Sequence, residues 1–225
     1  TYTFHGCKAL KSISIPSSVV SISSGTFWES GLTTINIPGS VKTIGDLAFD
    51  ACEDLVSVTL NEGLESLGDR VFSLCKFESI TIPNTVTSIG ENLLMYCNNL
   101  KSIKGKYASD DERLLIKDGF NVVALAPAGL TSYSIPEGIA KLSFYSTFSK
   151  SFTYLVIPST VISIEGFGIG INSKVSVYCK PTDVPASSND HPFYGNTTVY
   201  VPQASLSQYQ SAWSSIKDLI VGYNY

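Results

Sequence analysis

The chain has 225 residues and a net charge of −4, with 15 basic against 19 acidic residues and no basic cluster. Neutralising a phosphate backbone needs a concentrated positive face, so no nucleic-acid partner is expected. No run approaches the ~18 to 20 uninterrupted apolar residues of a membrane helix, so no transmembrane segment is expected either. Only 15% of residues are charged, against roughly 25% in an average soluble domain, which leaves Ser, Thr, Asn and Gly to cover the outer surface.

In chain order, strands of the form Ile-x-Ile-Pro stand at Ile13 to Pro16, Ile35 to Pro38 and Ile80 to Pro83, with a Leu155 to Pro158 variant and degenerate copies between. The residue after each strand (Pro16, Pro38, Asn61, Pro83, Lys106, Pro136, Pro158, Lys180, Pro202) recurs every 22 or 23 residues, apart from one interval of 30. A period in the low twenties is the signature of a solenoid. In the copy at Leu55, Ser57, Val58, Thr59 and Leu60 the apolar and polar residues alternate, as in a strand with one buried face, and proline at the anchor ends the ladder because it has no N–H to donate. A second apolar pair follows (Val41 and Ile44, Leu64 and Leu67, Val86 and Ile89). Gly45, Gly68 and Gly90 then turn the chain, and a short helical or 3-10 segment is expected to carry the next Phe or Leu inward. The chain opens at Thr1, without Met and inside a repeat, so a leader or further repeats are expected ahead of it.

Four of the five cysteines share one column, since Cys7, Cys52, Cys75 and Cys97 each stand three residues after Phe4, Phe49, Phe72 or Leu94. No C-x-x-C pair is present, and a small buried free thiol is the expected role. The run Gln203 to Lys217 is helix-compatible, with Leu206, Tyr209, Trp213 and Ile216 on one face, and its expected task is to cap the solenoid end. The expected organisation is a solenoid over 1–202 with a hairpin insertion near 107–130, then a helical cap over 203–225.

The pattern Ala48-Phe49-Asp50-Ala51-Cys52, with Thr81-Ile82-Pro83-Asn84-Thr85-Val86-Thr87-Ser88-Ile89-Gly90, resembles the BspA-like class of leucine-rich repeats. The segment Leu114 to Phe120 around Asp118-Gly119 resembles the hairpin insertion of that family. The resemblance implies a right-handed solenoid of about nine coils: a parallel sheet on one side, helical or 3-10 turns on the other. It also implies a bacterial protein, secreted or attached to the cell surface, in adhesion or protein binding. The usual Asn or Cys of leucine-rich repeats is replaced by Ser18, Ser40, Gly63 and Thr85, so no asparagine ladder is expected to bridge the coils.

Chemistry-bearing residues are sparse. His5 reads as a surface residue, His191 as part of a loop, Asp110-Asp111-Glu112 as a solvated loop without calcium spacing, and Gly166, Gly168 and Gly170 as part of the repeat's own turn. No catalytic residue, cofactor or metal is expected. The outward columns are more informative. One reads Ser12, Thr34, Ser57, Ser79, Ser102, Ser132, Tyr154, Ser176, Thr198, a hydroxyl ladder apart from Tyr154. The other reads Ser14, Asn36, Thr59, Thr81, Lys104, Ser134, Val156, Tyr178, Tyr200 and turns apolar along the chain. Tyr154, Val156, Tyr178 and Tyr200 therefore form either a contact patch or a surface covered by the 182–196 loop. The expected function is a monomeric, non-enzymatic module for a protein or glycoprotein. A carbohydrate-binding accessory module or a structural spacer are the alternatives.

Overall fold

The computed structural model describes residues 1–143, 145–148, 151–165, 168–171, 174–188, 192–193 and 197–224, with only the backbone of 145–148 and 168–171. The chain is a solenoid of parallel strands, and its contacts divide it into two compact units, Thr1–Lys117 with Val123–Ala128 and Asp118–Val122 with Gly129–Tyr225.

In the first unit the coils between Thr34 and Ile89 each carry a four-residue strand and a two-residue strand. Thr34–Ile37 pairs in register with Ser57–Leu60, and Ser79–Ile82 with Ser102–Gly105. The short strands Ser21–Ile22, Thr43–Ile44, Ser66–Leu67 and Ser88–Ile89 form a second, narrow sheet. Inward positions of both sheets meet a column of stacked rings, Phe4 on Phe27 (5.3 Å), Phe27 on Phe49 (5.1 Å) and Phe49 on Phe72 (5.4 Å). Residue spacing and coil spacing coincide, so identical side chains stack and each coil completes its neighbour's core.

The far side of these coils is built from turns where helical or 3-10 segments were expected. Ala48 N–H donates to Gly45 O (3.3 Å) and Cys52 N–H to Phe49 O (3.3 Å), with Leu47 (φ 60°) and Ala51 (φ 55°) at the third position of each turn. A positive φ at that position is the type II pattern, which normally takes glycine. What holds non-glycine residues there is a backbone ladder between coils: Leu47 N–H reaches Asp69 O, Phe49 N–H reaches Val71 O and Ala51 N–H reaches Ser73 O, each at 2.9 Å. A helix would have turned these donors onto its own carbonyls and left the coils unlinked on that side.

The bridge between coils is also made differently from an asparagine ladder. Thr85 Oγ1 donates to Leu64 O (2.6 Å) and accepts from Gly63 N–H (2.9 Å), and Thr160 does the same with Ile139 O (2.7 Å) and Gly138 N–H (3.1 Å). Asparagines contribute from other positions, Asn61 Nδ2 donating to Asn36 Oδ1 (2.9 Å) and Ile37 O (2.7 Å), and Asn99 Nδ2 to Lys76 O (3.4 Å).

Around Ile13 no strand forms. Ile13 and Ile15 are half-buried there. The hairpin strand Leu114–Lys117 neighbours Asn121–Leu125, and Asp118 (φ 57°) and Gly119 (φ 78°) supply the left-handed pair that a tight primed turn requires.

The second unit has a five-stranded parallel sheet in the order Ser132–Ser134, Tyr154–Ile157, Val175–Cys179, Thr197–Pro202 and Ile220–Tyr223. Its last strand was not legible in the repeat. The 203–225 segment is 3-10 at Gln203–Ser205 and helical at Leu206–Ala212, breaks at Trp213 (φ −109°, ψ 58°), continues as 3-10 over Ser214–Leu219, then returns as a strand parallel to Thr197–Pro202. Tyr209 and Trp213 are buried with their rings 4.9 Å apart, and the Tyr209 hydroxyl donates to Pro181 O (2.8 Å). On this unit's far side Tyr145–Phe148 and Gly168–Ile171 pair as parallel strands. Gly168 and Gly170 are thus strand residues, and Gly166 lies outside the described residues.

Candidate functional site

Strand register in the second unit aligns Ser134, Val156, Tyr178, Tyr200 and Val221 in one outward column and Ser132, Tyr154, Ser176 and Thr198 in the other. Tyr154 is 41% exposed, Val221 43% and Tyr223 42%, while Val156, Tyr178 and Tyr200 are half-buried. The Tyr178 and Tyr200 rings stack at 4.8 Å and 14°. Tyr154 meets Tyr178 edge-on at 6.2 Å, and Tyr223 meets Tyr178 at 5.7 Å and Tyr200 at 6.2 Å, again edge-on. The side chains named from the sequence are thus brought together. Tyr223 and Val221 join them, missed because the strand that carries them lacks the Ile-x-Ile-Pro signature.

Among the described residues, Tyr178 packs against Tyr154, Tyr200 and Tyr223, and Tyr200 against Tyr178 and Tyr223. In the 182–196 loop, Ala186–Ser187 pairs with Ser163–Ile164 in a different sheet and Phe193 packs against Trp213 at 5.6 Å; 189–191, including His191, and 194–196 lie outside the described residues. Beside the rings opens a cleft of about 350 Å³, lined by Ser134, Ile135, Glu137, Val156, Pro158, Tyr178, Lys180 and Tyr223. Glu137 accepts from Ser159 Oγ (3.2 Å). The hydroxyls of Tyr154 and Tyr178 have no hydrogen-bond partner among the described residues.

Elsewhere the sequence's candidates are structural. His5 is exposed and packs on Trp28 with ring centroids 4.7 Å apart. The same column turns inward at Asp50, a buried carboxylate held by Arg70 Nη2 at 3.2 Å, and at buried Ser73. Asp111 Oδ1 accepts from Arg113 N–H (3.0 Å), knotting the acidic loop. No group of residues able to hold a metal occurs among the described residues, and no described helix is long and apolar enough to cross a membrane. Cys52, Cys75 and Cys97 are buried, as is Cys179, whereas Cys7 is exposed. Burial pushes the Cys97 and Cys179 thiols up to about 12 and raises Cys52 and Cys75 above the ordinary thiol range.

Coils of in-register I-x-I strands, with a stacked aromatic core and outward columns free of a nucleophile–base pair among the described residues, define a leucine-rich repeat protein. Residues 1–103 match the BspA type Leucine rich repeat region in six copies. The chain is similar to a leucine-rich cell surface protein of Faecalibacterium prausnitzii, with TM-score 0.66 and 21% identity, covering 100% of this chain and 69% of that one. It is also similar to a leucine-rich repeat protein of Bacteroides ovatus (TM-score 0.56, 26% identity, 89% of this chain, 57% of that one). A third similar structure is the pneumococcal vaccine antigen PcpA (TM-score 0.54, 15% identity, 91% and 71%). No match was found among curated proteins.

Proposed function

We propose that the chain is a non-catalytic recognition module, exported or surface-attached in a bacterium, which engages a protein or glycoprotein as a monomer through Tyr154, Val156, Tyr178 and Tyr200. The observation that carries this reading is the in-register column from Ser134 to Val221, which replaces polar residues by apolar and aromatic ones on the outward side of the sheet. Tyrosine contributes large contact area at small rotamer cost, the usual basis of an interface hot spot. The surface location is supported by the similar cell surface protein and vaccine antigen. A carbohydrate-binding role has less support, because a sugar ring needs an open aromatic face and Tyr178 and Tyr200 each stack one face on the other.

The test is binding of the full chain to a panel of purified extracellular proteins and to a glycan array, with the wild type and a Tyr154→Ala/Tyr178→Ala variant. Loss of affinity for a protein ligand by tenfold or more, with a native circular dichroism spectrum, supports the reading. A protein ligand bound equally by both would move the contact elsewhere, and glycan binding lost in the variant would favour the carbohydrate role.

A further inference from the structure

We propose that the segment seated on this face is a proline-rich stretch of the partner in polyproline II conformation, lying across the strands; this rests on the reading above. The direction follows from the cleft lining, which takes residues on or just after four of the sheet's five strands: Ser134 and Ile135, then Val156 and Pro158, then Tyr178 and Lys180, then, past Thr197–Pro202, Tyr223. A ligand in this cleft crosses the strands, so it cannot add to the sheet as a further strand and its backbone gains no ladder hydrogen bonds. Any N–H it turns toward the rings would lose water without a partner. Proline has no N–H to lose.

The rings suit such a ligand. Tyr178 stacks on Tyr200 along the coil axis, so the ring planes stand across the cleft and offer ridges of edges instead of a flat platform. Aromatic edges against which proline rings pack, with hydroxyls donating to the ligand's carbonyls, are a recurrent way of holding a polyproline II segment. The Tyr154 and Tyr178 hydroxyls are available for that bond among the described residues. The spacings also agree. A polyproline II helix advances ~3.1 Å per residue with three residues per turn, about 9.3 Å, and two rungs of a parallel sheet span about 9.6 Å. Every third ligand residue therefore meets every second coil, and the match holds over the five strands of this sheet.

The probe is a decaproline peptide titrated into the full chain by heteronuclear NMR, with a Gly-Ser decapeptide as control. Saturable shifts with decaproline but not the control, weakened tenfold or more in Tyr178→Ala and in the more exposed Tyr154→Ala, and weakened severalfold in Tyr178→Phe, are expected. Decaproline binding that survives both alanine variants overturns the site. No decaproline binding at millimolar peptide overturns the occupant; if the alanine variants still lose a protein ligand the surface reading stands, and if they lose nothing both fall.

Discussion

The Cys97 thiol donates to the Phe72 carbonyl one coil earlier at 3.0 Å, and the same bond recurs from Cys75 to Phe49 (3.4 Å) and from Cys52 to Phe27 (3.1 Å). The cysteine column is thus a set of small donors that satisfy carbonyls at the edge of the phenylalanine stack, where a larger polar side chain would not fit. Ser30 holds the equivalent place after Phe27 and lies 3.4 Å from Cys52 Sγ.

Native-state labelling with a thiol reagent near pH 8 is expected to modify Cys7 alone, the exposed one, and all five after denaturation. The buried thiols keep their protons well above the ordinary range. Their folded pKa is raised, so stability is full below the unfolded value of ~8.5 and falls as pH climbs from there toward about 12, by up to ~1.4 kcal/mol per pH unit per thiol. A urea midpoint unchanged between pH 8 and 10.5 would show the thiols are solvated.

Ile80 is buried between coils and Ser79 is exposed beside it. Ile80→Ala is expected to cost about 2 to 4 kcal/mol in chemical denaturation, and Ser79→Ala no more than roughly 0.5. Equal midpoints would mean that the two faces are inverted.

Gly68 and Ala51 predict opposite signs. A Cβ at Gly68 would stand 2.7 Å from Asp46 N and 2.9 Å from Gly45 C, backbone that cannot move aside, so Gly68→Ala is expected to destabilise by ~1 to 3 kcal/mol. Ala51 occupies a left-handed turn position at φ 55°, and Ala51→Gly is expected to stabilise by ~0.5 to 1 kcal/mol as steric relief outweighs added unfolded-state entropy. Thermal unfolding of the two variants checks both signs.

Tyr209 anchors the terminal segment through its hydroxyl to Pro181 O. Tyr209→Phe leaves that carbonyl short of a buried donor and is expected to cost ~1 to 2 kcal/mol, with amide exchange at Ile220–Tyr223 quickening more than at Thr34–Ile37. Uniform change along the chain would mean that the segment is no separate unit of stability.

The repeat arithmetic alone placed eight of the main strands, the phenylalanine and cysteine columns and both outward columns, because a 22-residue period obliges equivalent residues to stack and alternation within each strand decides which side chains face in. The aromatic drift from Ser134 to Tyr200 was visible for the same reason. Tertiary contacts decided what has no period. The turns took left-handed non-glycine residues because bonds to the next coil outweigh local preference, a contest no single coil displays. Asp50 turned inward because Arg70 stands one coil on. The strand Ile220–Tyr223, and with it Tyr223 and the wall of the cleft, exists because an unpaired edge at Thr197–Pro202 accepts any extended segment that the Tyr209 and Trp213 anchor brings alongside.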